Sequence, residues 1–217
     1  LRFFRISERR PVLIAASTVG GEEAPVFLAF RRIQQRTSDA LLIVAPRHPE
    51  RFAEVEQLAR RTGFTVARRS DLPIDAEPRA EVVVLDTIGE LARLYQVATA
   101  VFVGGSLVNA GGHNILEPAV FGKPITFGPH MENFSEIAEA FVRSGAACQV
   151  QSDHELEELL LNLLTDPVRR AALGAAARAL VEANRGAKVK SLAAVAELLP
   201  PASAESAPGV VRLGARG

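Results

Sequence analysis

Short apolar runs alternate with amphipathic stretches along this chain, and the alternation predicts its architecture. Seven apolar runs are predicted strands: 12–17, 40–45, 64–67, 81–85, 100–103, 124–127 and 147–150. Helical periodicity separates them and predicts helices over 22–35, 49–62, 91–97, 114–121, 133–144, 153–164, 167–184 and 188–199. The strands are continuously apolar, which is typical of parallel strands covered on both faces. We therefore predict an α/β fold, a Rossmann-like doubly wound parallel sheet with helices on both faces.

The amino-acid composition excludes several classes of function for this chain. The 217 residues carry 25 basic and 25 acidic side chains, so the formal net charge is zero. Because a general nucleic-acid surface needs a basic excess, we expect no nucleic-acid partner. The single cysteine, Cys148, excludes an intramolecular disulfide, and the four histidines lack zinc-ligand spacing. We expect neither a bound metal nor a cofactor.

The two ends of the chain differ from its middle. The chain begins without Met and reaches its first predicted strand within about a dozen residues, so we expect it to be a piece of a longer protein. Residues 1–10, rich in arginine, are predicted to be a remnant of an interdomain linker. Residues 200–217 are rich in Pro, Ala, Ser and Gly and are predicted to be a disordered tail. This leaves 11–199 as one domain.

The loop over 104–114 is the strongest functional signal. In a doubly wound sheet, ligands bind at the carboxyl ends of the strands, where this loop lies. Its glycine pairs, at 104–105 and 111–112, allow close approach of backbone to a ligand. Asn114 is predicted to cap the next helix, whose free N–H groups suit an anion, and Glu117 can accept two ribose hydroxyls. A nucleotide site is predicted, with simple helix capping by Asn114 and Glu117 as the alternative.

Three other loops at the carboxyl ends of strands contain candidate ligand-binding residues. Arg47 follows Pro46 at the end of the second strand and can place two donors on a phosphate or carboxylate; a solvated arginine is the alternative. The loop 17–23 resembles a phosphate loop but lacks its Lys-Ser/Thr ending.

The remaining loop lies before the helix at 91–97. Its Ile88 and Gly89 present N–H groups that can meet a base or phosphate. Thr87 and Glu90 have the spacing of a capping box, which is the alternative interpretation.

The order of motifs resembles a known family. The run GGSLVNAGGHNILEPAVFGKPITFGPHMENF resembles the signature of the 3-deoxy-D-manno-octulosonic acid (Kdo) transferases of lipopolysaccharide synthesis. The segments AAST, GEE, APRHPERF, DTIGEL and NRGA agree with it in order, so the resemblance covers about 10–199. It differs at Val19 and Gly20, where the family has a histidine and an acidic residue, and at Ile88, where methionine is usual.

The resemblance implies a function and a set of contacts. The chain matches the C-terminal, donor-binding half of a GT-B glycosyltransferase, an enzyme that transfers Kdo from CMP-Kdo to the lipid A precursor without a metal. The positions that match the family's CMP contacts are Pro46, Arg47, Ile88, Gly89, Glu90, Asn114, Ile115, Leu116 and Glu117. Additional candidate donor contacts are Ser17, Thr18, Gly105, Ser106, Gly112 and His113.

The other half of such an enzyme carries the rest of the activity. The general base, the site for lipid A precursor and most of the membrane contact are expected there, so this chain alone should bind nucleotide without turnover. The parent protein is expected at the cytoplasmic face of the bacterial inner membrane. A UDP-sugar-dependent GT-B glycosyltransferase or epimerase, and a non-catalytic nucleotide-binding module, are the alternatives.

Overall fold

The computed structural model describes residues 6–7, 9–73 and 77–198, with side chains as far as 184. Seven strands form one parallel sheet in the order β3-β4-β2-β1-β5-β6-β7. The strands are β1 Val12–Thr18, β2 Leu41–Pro46, β3 Val66–Arg68, β4 Val82–Val84, β5 Ala100–Val103, β6 Ile125–Phe127 and β7 Cys148–Gln149. The predicted parallel sheet is confirmed.

Within the described residues, seven α-helices connect or follow the strands. They are α1 Glu23–Arg36, α2 Phe52–Arg61, α3 Leu91–Leu94, α4 Leu116–Val120, α5 Ser135–Arg143, α6 Asp153–Thr165 and α7 Pro167–Leu198. Short 3₁₀ turns cover Pro49–Arg51, Arg69–Asp71, Tyr95–Val97 and Glu132–Phe134. Residues 1–183 form one compact unit, to which the whole sheet belongs, and 184–217 form a second.

Both faces of the sheet are buried. Alternate residues of β1 belong to different cores: Ile14 packs with Phe141 of α5, whereas Leu13 packs with Phe27 of α1 and Leu160 of α6. Strand side chains alternate between faces, so each apolar strand supplies both cores at once. The helices therefore cover both faces, as predicted.

The strand order places a crevice beside β1. This strand pairs with β2 on one side and with β5 on the other, so the loops that follow β1 and β5 leave the sheet in different directions. In open α/β sheets such a reversal of strand order is where ligands bind.

Two sequence predictions about helices need correction. The predicted helices over 167–184 and 188–199 are one helix, α7, because the glycine at 186 weakens a helix by only about 1 kcal/mol and does not end it. The helix predicted from Asn114 begins at Leu116. The helix predicted over 91–97 does begin at Leu91, and its last three predicted residues form the 3₁₀ turn Tyr95–Val97.

The predicted linker remnant and tail are described only in part. Residues 1–5, 8 and 199–217 lie outside the described residues. Arg10 is bonded to the domain, since its guanidinium donates to the backbone carbonyls of Asp39, Pro78 and Ala80.

Candidate nucleotide site

A pocket of about 210 Å³ lies at the crevice beside β1. It brings together five residues that the sequence predicted as site residues: Ser17, Arg47, His113, Asn114 and Glu117. Sequence reasoning missed its other lining residues, which are Tyr95, Val103 and Phe134. These three add apolar and aromatic surface to a polar site. Pockets for small ligands commonly combine such walls with a few polar groups.

Asn114 organises the start of α4 from outside the helix. Its Oδ1 accepts the N–H of Leu116 at 3.0 Å, and its Nδ2 donates to Oε1 of Glu117 at 3.4 Å. Glu117 is nevertheless exposed, with the rest of its carboxylate open to solvent. Helix starts leave N–H groups without intrahelical partners, and the third residue of this helix, Pro118, has none to offer. The side chain of Glu117 is thus the main polar group presented by α4.

Arg47 has its backbone fixed and its side chain free. Its N–H donates to the carbonyl of Thr18 at 2.9 Å, which joins the ends of β1 and β2. The guanidinium is exposed, and no acceptor or acidic partner for it occurs in the part of the chain that the structure describes. A cation without a partner at the rim of a pocket suits an anionic ligand. Pro46, before it, is buried at the end of β2.

The loop after β4 contains an ion pair instead of a capping box. The Glu90 carboxylate lies 2.9 Å from Nε of buried Arg69 and also accepts the Thr87 hydroxyl. Ile88 is 87% exposed, and Gly89 has a φ of +85°. These residues do not line the 210 Å³ pocket, and the carboxylate of Glu90 is already engaged. Only Ile88 and Gly89 are left with free surface for a ligand.

The candidates in the loop after β5 are largely internal. The N–H groups of Gly105 and Ser106 donate to the buried carboxylate of Glu22, a residue that sequence reasoning did not single out. Ser106 has no exposed surface, and its hydroxyl donates to Val103 and accepts the N–H of Gly128. These donors are not available to a ligand, so the expectation for Gly105 and Ser106 is corrected.

Two further candidate donor contacts also lie inside the protein. Thr18 is fully buried. At Gly112 (φ +74°) an added Cβ would lie 2.4 Å from the sulfur of Met131. The glycine is therefore explained by close packing inside the loop, without a ligand.

The close approach of the loops after β1 and β5 also explains Gly104. A Cβ there would lie 2.7 Å from three atoms: the carbonyl oxygen of Ser17, Cα of Thr18 and Oε2 of Glu22. Gly104→Ala should lower the free energy of unfolding by about 2 kcal/mol or more, because two of these atoms are backbone and cannot move aside. Chemical denaturation of both proteins measures this loss.

Gly20→Ala is the matched control. Gly20 also lies in a loop without positive φ, but only the Arg51 guanidinium approaches its Cβ position, at 3.9 Å. Its free energy of unfolding should change by less than about 0.5 kcal/mol. Equal losses in the two variants would contradict the packing explanation.

His113 is held neutral in the wall of the pocket. Its Nε2 is buried without a hydrogen-bond partner among the described residues, and its ring packs against Gly105. Burial, and next the positive charge of Arg47, lower the pKa of His113 below its ordinary value of 6.5. A neutral imidazole leaves Arg47 as the main positive charge of the pocket.

The lowered pKa of His113 predicts a pH dependence of stability. Below about pH 6.5 the unfolded chain binds the proton more readily than the folded one, so stability present above that pH falls as the pH drops. The thermal midpoint should therefore drop more between about pH 7.5 and 5 in the wild type than in His113→Gln. His154→Gln, which replaces an exposed histidine of α6, is the control and should follow the wild type. Identical pH slopes in all three proteins would contradict the prediction.

Comparison with known proteins identifies the family of the chain. The family model of the group 1 glycosyl transferases matches residues 25–180. The C-terminal CMP-Kdo binding domain of WaaA from Acinetobacter baumannii is 34% identical, with a TM-score of 0.74 over 80% of this chain and 90% of that domain. The chain belongs to the Kdo transferase branch of the group 1 glycosyl transferases.

Two relatives are longer proteins that match this chain over part of their length. The 3-deoxy-D-manno-octulosonic acid transferases of Bordetella pertussis and Haemophilus influenzae are 36% and 38% identical over 88% of the chain. The chain spans 45% and 44% of their lengths, less than half of each. Among the described residues, no helix combines the length and apolar character needed to cross a bilayer.

Proposed function

We propose that this chain is the donor-binding domain of a Kdo transferase and that it holds CMP-Kdo in the 210 Å³ pocket. One observation carries the proposal: an unpaired arginine and an exposed carboxylate, Arg47 and Glu117, line the same pocket at the crevice beside β1. A nucleoside monophosphate needs both, a cation for its phosphate and an acceptor for its ribose hydroxyls. The structural relative described as a CMP-Kdo binding domain supports the choice of nucleotide.

Each side chain has a distinct role in this proposal. The two oxygens of Glu117 accept the ribose hydroxyls, and the hydrogen bond from Asn114 fixes one of those oxygens. Arg47 donates to the phosphate, while neutral His113 keeps the phosphate end from excess positive charge. Ile115 and Leu116 contribute as the backbone that aims the start of α4. Ile88 and Gly89 have exposed apolar and backbone surface that can meet the base.

The transfer itself is assigned to a larger protein. Attack on the anomeric carbon of Kdo needs an acceptor hydroxyl and a base that removes its proton. We place both, together with the lipid A precursor, in a second domain opposite this one. The parent enzyme would act at the cytoplasmic face of the bacterial inner membrane, and the reaction would need no metal, since Arg47 offsets the charge of the departing CMP.

Calorimetric titration with CMP, UMP and UDP tests the nucleotide assignment. We expect CMP to bind more tightly than UMP, and UDP to bind no better than UMP. Preference for UDP would move the chain to UDP-sugar enzymes of the same fold. Absence of binding by all three nucleotides would contradict a donor site complete in this chain.

A further inference from the structure

The most buried charge in the described part of the unit lies behind the pocket, at Glu22. This side chain has no exposed surface, although it is an ionisable group that the proposed CMP contacts do not include. No lysine, arginine or histidine among the described residues forms an ion pair with it. Its neighbour Glu23 is equally buried but binds the Arg51 guanidinium at 2.6 and 3.0 Å. The two adjacent glutamates are therefore satisfied in different ways.

Within the part of the chain that the structure describes, every hydrogen-bond donor to the Glu22 carboxylate is a backbone N–H group. Its Oε2 accepts from Val19 at 3.0 Å and from Gly105 at 2.7 Å. Its Oε1 accepts from Ser106 at 2.9 Å and from Leu107 at 2.8 Å. Successive N–H groups that converge in this way form a concave anion site, which in many proteins holds a phosphate. Here the protein fills that site with its own carboxylate.

The loop held by Glu22 supports the wall of the pocket. The carbonyl of Gly105 accepts the N–H of Gly112 at 2.8 Å, and the His113 ring packs on Gly105. The next residue, Ser106, accepts the N–H of His130 on its carbonyl at 2.9 Å. Displacement of residues 105–107 would thus move His113 and the approach to α4.

We infer that Glu22 is a positioning residue: an internal anion that joins the loops after β1 and β5 and so sets the shape of the site where, on the function proposed above, CMP binds. Two consequences follow. An external phosphate cannot use the N–H groups of residues 105–107, which leaves Arg47 as its partner. Loss of the carboxylate should open a vacant anion site of the size of formate.

Replacement and chemical rescue test this role. Glu22→Gln puts an amide N–H₂ against two of the four backbone donors, so CMP affinity measured well below its thermal midpoint should fall about tenfold or more. Glu22→Ala should lose thermal stability and regain part of it, together with CMP affinity, in sodium formate but not in sodium chloride at equal ionic strength. Glu23→Gln, which removes a buried carboxylate that does not touch the loop, should keep wild-type CMP affinity.

The readouts separate this role from the proposed function. If the wild type fails to bind CMP, the proposed function fails, and the formate-dependent thermal midpoint of Glu22→Ala still decides whether Glu22 is an internal anion. Wild-type CMP affinity in Glu22→Gln, or equal effects of formate and chloride on Glu22→Ala, would overturn the inference. If Glu22→Ala is insoluble, its refolding yield from denaturant is compared in the two salts, and equal yields would overturn it as well.

Discussion

Glu117→Ala should weaken CMP binding by about 30-fold or more. The carboxylate accepts two hydroxyls in the proposed complex, and hydrogen bonds to charged groups contribute about 1.5–3 kcal/mol each, discounted here because Glu117 is exposed. Calorimetry with CMP measures the loss directly. The thermal midpoint should hardly change, since the Glu117 side chain has a single, long hydrogen bond to the described residues.

A nucleotide without the ribose hydroxyls tests whether Glu117 binds the ribose and no other part of CMP. Wild-type protein should bind 2′,3′-dideoxy-CMP about as weakly as Glu117→Ala binds CMP, and the substitution should have little further effect on the dideoxy ligand. Glu158→Ala, an exposed glutamate of α6, is the control and should bind CMP normally. If Glu117→Ala and the removal of the ribose hydroxyls each weaken binding and their effects add, Glu117 contacts another part of the nucleotide.

Arg47→Ala should remove the contribution of the phosphate and leave that of the nucleoside. Wild-type protein should bind CMP about tenfold or more tightly than cytidine, because a charge-assisted hydrogen bond to phosphate contributes about 1.5–3 kcal/mol. In Arg47→Ala the two ligands should bind alike. The ratio of the two dissociation constants is the measurement, since it cancels general effects on the fold.

Two further measurements check the role of Arg47: the effect of ionic strength on the preference for CMP over cytidine, and the same preference in a control variant. The CMP preference of the wild type should shrink as ionic strength rises, because Arg47 is exposed and screened by salt. Arg36→Ala, which removes an exposed arginine at the end of α1, should retain the full ratio. A CMP preference that persists in Arg47→Ala would assign the phosphate to another group.

Local pattern sufficed to predict the parallel sheet and to place several candidate site residues at one edge of it. The central strands are short apolar runs, and burial on both faces of a parallel sheet demands that composition. The edge strands β3 and β7 are less buried and contain Arg68 and Gln149. Because ligands meet the carboxyl ends of strands, Arg47 and Glu117 could be placed together from strand positions alone. The structure confirms that both line one pocket.

Contacts between distant parts of the chain could not be predicted in the same way. Three of the four hydrogen bonds of Glu22 join residues separated by 83 to 85 positions, and the Arg69–Glu90 pair spans 21. The glycine pairs were predicted to admit a ligand, whereas Gly104 and Gly112 admit neighbouring protein atoms. Composition does not distinguish these uses of glycine. The sequence did offer one signal for the role of Glu22. This glutamate directly follows the glycine pair Gly20 and Gly21, and a second glycine pair occurs in the loop after β5.

Mapping of CMP on the folded domain tests the central claim most directly. Backbone amide signals would be assigned by nuclear magnetic resonance and followed during titration with CMP. The account predicts the largest, saturable shifts at Ser17, Arg47, His113, Leu116 and Glu117. A second cavity of about 360 Å³, along β6 and α5, is the alternative place where CMP could bind. Shifts confined to its lining residues Met131, Ala138 and Val142, or no shifts at all, would contradict the proposed site.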